Sequence, residues 1–230
     1  MYKSFLIKYG EIGIKGKNRY LFENALVRQI RYALKRIDGE FDVYKDQARI
    51  FVDCSGDYDY EETVDALQHV FGIVGICPMV RAEDKGFEAL AEDVVAFMGK
   101  THSEGNYTFK VNARRARKDY PMLSMEVNAA LGEKILKAFP ETKVDVHNPG
   151  IVVNVEIRDE IYIYSKIIPG PGGMPVGANG KAMLLLRRNR QPGSRLHGGK
   201  TRCSHRRGLF HAPPYTSERA KQKVVDLAKI

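Results

Sequence analysis

An α+β fold built from successive modules is the class this sequence predicts. Three observations predict it. Apolar residues recur at three-to-four spacing over 20–37, 87–98 and 122–139, the period of amphipathic helices. Between them lie short runs rich in β-branched and aromatic residues, two of them joined by the tight turn Arg158-Asp159-Glu160. A glycine- and proline-rich stretch, PGPGGMPVGANGK, then stops all periodicity and divides the chain.

The elements follow in order. Residues 4–9 read as a first strand, and GEIGIKGKNR as a glycine-rich turn. The helix over 20–37 carries Leu21, Phe22, Ala25, Leu26, Ile30, Ala33, Leu34 and Ile37 at helical spacing. Asn18 is placed as its N-cap and Gly39 as its stop, with Arg28, Arg31 and Lys35 on or beside its polar side. Val43 with Tyr44, and residues 49–54, form a strand pair that completes a small α+β module. The second module has a short helix over 61–69 and a strand over 73–80, interrupted by Gly75 and Pro78. It continues with a helix over 87–98, a strand over 107–112 and a helix over 122–139. Strands over 143–146, 151–157 and 161–167 close it. The Gly/Pro stretch reads as a linker. Beyond it come a strand over 182–186 and a helix over 217–230, too little for a closed domain.

Composition narrows the function classes. With 230 residues and 43% hydrophobic content the chain can bury cores, and no apolar run reaches the ~20 residues of a membrane span. The first residues, broken by Lys8 and Glu11, do not read as a signal peptide. Cys54, Cys77 and Cys203 are isolated; they fit a reducing cytoplasm, and Cys54 and Cys77 read as core residues. The six histidines show no ligand spacing, which argues against zinc. No catalytic triad can be assembled, and Glu61 and Glu62 read as helix-start charges.

The net charge of +9 invites a nucleic-acid reading, but its distribution is uneven. Residues 187–208 hold eight lysines and arginines and no acid, whereas residues 1–186 are nearly neutral. Local clusters therefore carry more weight than the total. In NARRARKDYPMLSMEV a strand ends, Arg114, Arg115, Arg117 and Lys118 gather, and a helix starts near Ser124. Guanidinium groups beside free helix N-terminal amides suit a phosphate, against the alternative of a solvated loop. In GIKGKNR, Lys15, Lys17 and Arg19 stand among glycines that let a backbone approach closely; alone it also reads as an ordinary tight turn.

KYGEIGIKGKNR, VDVHNPGIVVNVEI and PYTSERAKQKVVDLA, in that order, closely resemble the tRNA 4-thiouridine synthetase (tRNA sulfurtransferase) family, also tied to thiamine thiazole biosynthesis. The resemblance covers the chain apart from residues 187–208. It implies an N-terminal ferredoxin-like domain over 1–60, a THUMP RNA-binding domain over 61–167 and the Gly/Pro linker over 168–180. Residues 181–230 would then be the incomplete start of an α/β PP-loop ATP pyrophosphatase domain. By the same resemblance the first two domains grip the acceptor end of tRNA. The third uses ATP with Mg2+ to adenylate uracil O4 at position 8, and sulfur arrives from a cysteine desulfurase or other persulfide donor. A cytoplasmic setting follows, and a homodimer is compatible with it. Lys15, Lys17, Arg19, Arg114, Arg115, Arg117 and Lys118 match positions that face tRNA. Met183, Leu184, Leu209, Phe210 and His211 match remnants of adenine-binding strands.

The basic stretch departs from the family. Where the family continues the strand with a serine-glycine-glycine-x-aspartate-serine loop, this chain has RRNRQP from Arg187 to Pro192. Arginine cannot replace glycines that let backbone touch phosphate. One permissible codon choice for residues 187–203, shifted by one base, encodes SGGIDSPAAGYMAAKRG, a good PP-loop. A shifted reading frame, restored near Phe210, is therefore the expectation for 187–208, and Cys203 within it is no sulfur carrier. As written, the chain is expected to hold a tRNA-binding half with no catalytic residue and no bound ATP. The rival reading is a non-enzymatic THUMP module that binds tRNA and presents it to another protein.

Overall fold

The structure, a computed structural model, describes residues 2–47, 49–102 and 106–178, the strand backbones of 181–185 and 204–208, and residues 219 and 222. Contacts gather the chain into two compact units. One comprises residues 1–6, 51–55 and 77–168; the other comprises residues 7–50, 56–76 and 169–230. Strands β1 (Ser4–Tyr9), β3 (Arg49–Ser55) and β4 (Ile73–Glu83) each contribute residues to both.

In the second of these units, two short 3-10 turns, Glu11–Ile14 and Gly16–Asn18, lead into α1 (Arg19–Leu34). Leu26, Ile30 and Leu34 recur at four-residue spacing and are buried, which is what fixes the helix against its neighbours. Asn18 occupies the N-cap position, as expected, without a side-chain cap bond. Gly39, at φ +136°, reverses the chain after the helix, and β2 (Glu40–Asp46) follows. Helix α2 (Tyr60–Gln68) is capped by Asp59, whose carboxylate accepts the Glu62 amide at 2.9 Å, with Glu61 and Glu62 in the first turn.

The other unit pairs helices α3 (Phe87–Thr101) and α4 (Ser124–Ala138) with a sheet in the order β4-β8-β7-β5-β6. Its strands are β5 (Thr108–Arg115), β6 (Lys143–Val144), β7 (Ile151–Ile157) and β8 (Glu160–Tyr164). Strands β7 and β8 are antiparallel across the expected turn, whereas β5 runs parallel to both β7 and β6. The ladder of β4 with β8 starts at Val80, past Pro78, so the missing proline amide interrupts none of its pairs. Strand residues alternate: Phe109, Val111 and Ala113 join Val153, Val155 and Ile157 in one core. Leu90, Val94 and Met98 of α3 and Val127, Leu131 and Ile135 of α4 cover it. Cys54 and Cys77 are buried, as a core reading requires.

The Gly/Pro stretch is not a free linker. Ile168 and Pro169 form strand β9, which pairs with β4. The Gly170 amide donates to the Val74 carbonyl at 3.1 Å and the Gly172 amide to the Ile73 carbonyl at 2.7 Å. Gly72 returns a bond to the Gly172 carbonyl at 2.8 Å, Gln29 bonds the Val176 carbonyl at 2.7 Å, and Met174 is fully buried. Glycine is required here: a Cβ on Gly170 would lie 2.5 Å from the Ile73 carbonyl oxygen. Residues 168–176 are thus a docked strap.

Beyond it, the expected strand is present as β10 (Lys181–Leu185). It pairs in parallel with β11 (Ser204–Gly208), a strand the arginine-rich composition did not announce. The backbone register sets Met183 opposite Arg206 and Leu184 opposite Arg207. Leu209, Phe210 and His211 lie outside the described residues, as does nearly all of the helix expected over 217–230; Arg219 and Gln222 are helical.

Candidate nucleic-acid interface

The arginine loop after β5 is built on a rigid base. The Ala113 amide donates to Asn128 Oδ1 of α4 at 2.7 Å, and the Ala116 amide extends the ladder to the Ile157 carbonyl at 2.8 Å. Asn112 and Asn154, partners in register, bond through their side-chain amides at 2.9 Å. The strand end therefore cannot drift, and the loop begins from a fixed point.

The four cations of this loop divide in two. Arg115 donates to the Tyr120 carbonyl at 3.1 Å. Arg117 is paired with Asp84 and lies 3.6 Å from Asp119. Both guanidinium groups hold the loop closed. Arg114 and Lys118 are exposed and have no ion-pair partner among the described residues. Beside them α4 begins without a side-chain cap on its first amides; the Leu123 amide alone is taken, by Glu126 at 2.7 Å. Exposed cations next to open helix amides attract an anion.

A cleft of about 250 Å³ adjoins this loop, lined by Asp84, Gly86, Phe87, Tyr120, Pro121 and Met122. Tyr120 is 4% exposed and its hydroxyl has no hydrogen-bond partner, so a ligand with an acceptor would satisfy it. Burial, then the nearby Asp84 carboxylate, push the Tyr120 pKa up and keep the phenol protonated. The walls suit a flat or apolar group rather than acid–base chemistry. Among the described residues no three His, Cys, Asp or Glu side chains gather to hold a metal.

In the other unit, the turn Gly10–Asn18 presents Lys15 and Lys17. Ile12 is fully buried and anchors it, while Gly13 bonds back to the Gly10 carbonyl at 2.9 Å. Gly16 takes φ +52°, which glycine adopts without strain. Lys17 is exposed; Lys15 is half-buried, with its ammonium 5.4 Å from the centre of the Phe22 ring. Arg19 is committed elsewhere. Its Nε donates to Glu23 at 2.7 Å, its Nη2 donates to the Tyr9 hydroxyl, and Tyr9 donates to Glu23 at 2.6 Å. Lys45 adds a third cationic or hydroxyl contact at 3.6 Å. Burial acts to raise the Glu23 pKa, but the bonds from Tyr9 and Arg19 and the charges of Arg19 and Lys45 outweigh it, and the carboxyl sits below its ordinary value.

Of the seven cations expected to face RNA, Lys17, Arg114 and Lys118 are available and Lys15 partly so. Arg19, Arg115 and Arg117 hold structure instead. Sequence reading missed the Tyr9–Arg19–Glu23–Lys45 network, although Arg19 and Glu23 stand at the i,i+4 spacing of a helical ion pair. It also missed Tyr120, which no local pattern marks.

Comparison with known proteins follows the same division. The model of the ThiI ferredoxin-like domain matches residues 4–77, and the THUMP domain model matches residues 84–166. The probable tRNA sulfurtransferase of Agathobacter rectalis is 60% identical over 230 residues, all of this chain and 58% of its own length. That of Lachnospira eligens is 59% identical over 232 residues, all of this chain and 59% of its own. The crystal structure of a 4-thiouridine synthetase–RNA complex with bound ATP superposes with a TM-score of 0.78 at 33% identity, covering 99% of this chain and 57% of that one. PH1313 from Pyrococcus horikoshii gives a TM-score of 0.80 at 28% identity, over 98% of this chain and 72% of its own. The chain thus spans less than three fifths of the length of these two curated relatives.

Proposed function

The chain belongs to the tRNA sulfurtransferase family, whose ferredoxin-like and THUMP domains it carries, and on that premise we propose that it is the tRNA-gripping part of a uridine-thiolating enzyme. The observation that carries this reading is the pair of pinned turns presenting exposed cations with no ion-pair partner among the described residues: Lys17 on one, Arg114 and Lys118 on the other. Fixed cations of this kind position a phosphate backbone without reading its sequence. The acceptor end of tRNA is the target, as the relative solved in complex with RNA supports.

The complete protein thiolates uridine 8 at its 4-position, using ATP with Mg2+ and sulfur from a cysteine desulfurase or other persulfide donor, with sulfur transfer for thiamine thiazole synthesis as a second outlet. Its setting is the cytoplasm and its assembled form a homodimer. The domain division proposed is 1–60, 61–167, 168–180 and 181–230. The residues present do not fit the ATP phosphates, because arginines stand at 187, 188 and 190 where the family loop has small residues. Met183, Leu184, Leu209, Phe210 and His211 are remnants of the adenine site, and this chain is inactive alone. Alignment of the 60%-identical relative over 230 residues of this 230-residue chain supports a compensated frame shift over 187–208, which keeps length. Resequencing codons 181–216 tests that: an unchanged sequence removes it.

For the RNA reading, Arg114→Ala with Lys118→Ala weakens tRNA binding by about tenfold and flattens its salt dependence by about 2 logarithmic units, at ~0.9 per lost phosphate contact. Filter binding across a salt series measures both, and unchanged values refute the loop's part. The non-enzymatic reading is favoured by the lost glycine loop. Calorimetry with ATP and Mg2+ separates the two, since heat of binding would contradict the inactive assignment.

A further inference from the structure

The turn over 10–18 is closed at its base by a cluster of partly buried side chains. Tyr9 precedes the turn at the end of β1, and Arg19 follows it at the start of α1. Arg19 Nη2 donates to the Tyr9 hydroxyl, and the guanidinium lies 5.5 Å from the centre of the Tyr9 ring. One oxygen of Glu23 accepts from both, at 2.6 Å from the Tyr9 hydroxyl and 2.7 Å from Arg19 Nε. The other oxygen faces Lys45 of β2 at 3.6 Å. Burial, then the bond to Glu23, raise the Tyr9 pKa, so the phenol keeps the proton it donates. Inside the turn the backbone bonds are longer: the Lys15 amide reaches the Ile12 carbonyl at 3.2 Å and the Asn18 amide the Lys15 carbonyl at 3.3 Å. Ile12 is buried beneath the turn, yet Ile14 is 85% exposed and Lys17 is exposed. The i,i+4 pair of Arg19 with Glu23 alone would serve the start of the helix. That purpose leaves the tie to Tyr9, across the turn, without a role.

We infer that Tyr9 and Glu23 are positioning residues for RNA binding: with Arg19 they form a clasp that sets the turn carrying Lys15 and Lys17 in its binding conformation before RNA arrives. This rests on the RNA-binding reading above and deepens it for one of the two turns. A lysine is a point charge on a flexible stem, so its hold on a phosphate depends on how firmly the backbone beneath it is placed. A loop fixed at both ends forfeits less freedom on binding, and the saving appears as affinity. The chemistry of the clasp suits this part. Bonds to an ionised carboxylate are stronger than bonds between neutral groups, and partly buried pairs are screened less by salt than exposed ones. The clasp therefore keeps its shape at salt concentrations that already weaken the contacts of Lys15 and Lys17 with phosphate. Arg19 acts through these lysines rather than beside them.

The test is a set of double-mutant cycles in the full chain, with an unmodified tRNA transcript as the probe and fluorescence anisotropy as the readout. Tyr9→Phe, which removes one oxygen, and Glu23→Gln, which removes the charge, are each placed in three backgrounds. These are wild type, Lys15→Ala with Lys17→Ala, and Arg114→Ala with Lys118→Ala. Binding is measured at a temperature where melting curves show every variant folded. We expect each clasp variant to weaken tRNA binding about fivefold in wild type, the scale of ordering a few side chains on binding. The same loss appears in the Arg114 and Lys118 background, because that turn is separate. It vanishes in the Lys15 and Lys17 background, because the clasp then has nothing to position. An equal loss in all three backgrounds overturns the inference and makes the network a general stabiliser. No loss in any background, with the Lys15 and Lys17 pair itself impaired, refutes the clasp and leaves the RNA reading standing. If removing the two lysines changes nothing, the clasp falls and only the arginine loop is left to meet RNA. If wild type does not bind the transcript, both readings fall together.

Discussion

Single residues decide which cations are available. Arg114, Arg115, Arg117 and Lys118 are equivalent in sequence, and a cluster is all that spacing reveals. The structure separates them because Asp84, thirty-three residues earlier, lies against Arg117, and because Arg115 reaches the Tyr120 carbonyl. Asp84 lies far off in sequence, and Tyr120, though only five residues on, contributes a backbone carbonyl that no residue type announces, so sequence alone does not carry the distinction. Glu23 makes the same point from the acidic side. Its replacement by alanine removes the acceptor of Arg19 Nε and of the Tyr9 hydroxyl, and we expect a loss of about 1–3 kcal/mol in urea unfolding. The sign with pH follows from its lowered folded pKa. The stabilisation is complete above the ordinary carboxylate value of 4.5 and is lost as pH falls through the folded value below it. The gap between wild type and Glu23→Gln should therefore close on acidification; a gap that persists would show that charge is not the source. Gly170→Ala should cost about 1–3 kcal/mol, since its methyl group would press on a backbone oxygen rather than on a side chain that can move.

Elements were legible where side chains alternate or repeat, and illegible where backbone alone makes the contact. Helices α1, α3 and α4 and strands β5 and β7 declare themselves through apolar period, and their cores follow it. The strap over 168–176 has no such period. Glycine and proline composition reads as flexibility, yet its amides and carbonyls are bonded to Ile73, Val74 and Gly72, and Met174 is enclosed. Three backbone bonds at about 0.5–1.5 kcal/mol each, with one buried methionine at about 1.5–3 kcal/mol, give the strap a few kcal/mol of hold. A chain ending at residue 167 should accordingly unfold at lower urea than one ending at residue 178. Equal midpoints would return the stretch to the status of a linker. Arg115→Ala with Arg117→Ala, by the same logic, should lower thermal stability, whereas Arg114→Ala with Lys118→Ala should leave it unchanged in a melting experiment.

At the scale of the molecule, the family was legible from three motifs in order, and the two matched domain models agree with it. The charge total was the misleading quantity, because eight of its positive charges lie in residues 187–208 alone. Electrostatic behaviour toward RNA should instead reflect the cations presented by the two pinned turns. Counting the three cations assigned to RNA, Lys17, Arg114 and Lys118, the logarithm of tRNA affinity should fall against the logarithm of salt with a slope of about −3. A slope near zero would mean that none of them meets phosphate. The docked strap has a mechanical consequence. Eleven loose residues would let their far end wander over roughly 20 Å. Fastened at Gly170, Gly172, Met174 and Val176, the polypeptide instead sets out from one spot, like a leash tied short at its post. Whatever follows inherits its starting point from the unit that holds the strap, and its reach is counted from residue 178 rather than from 168.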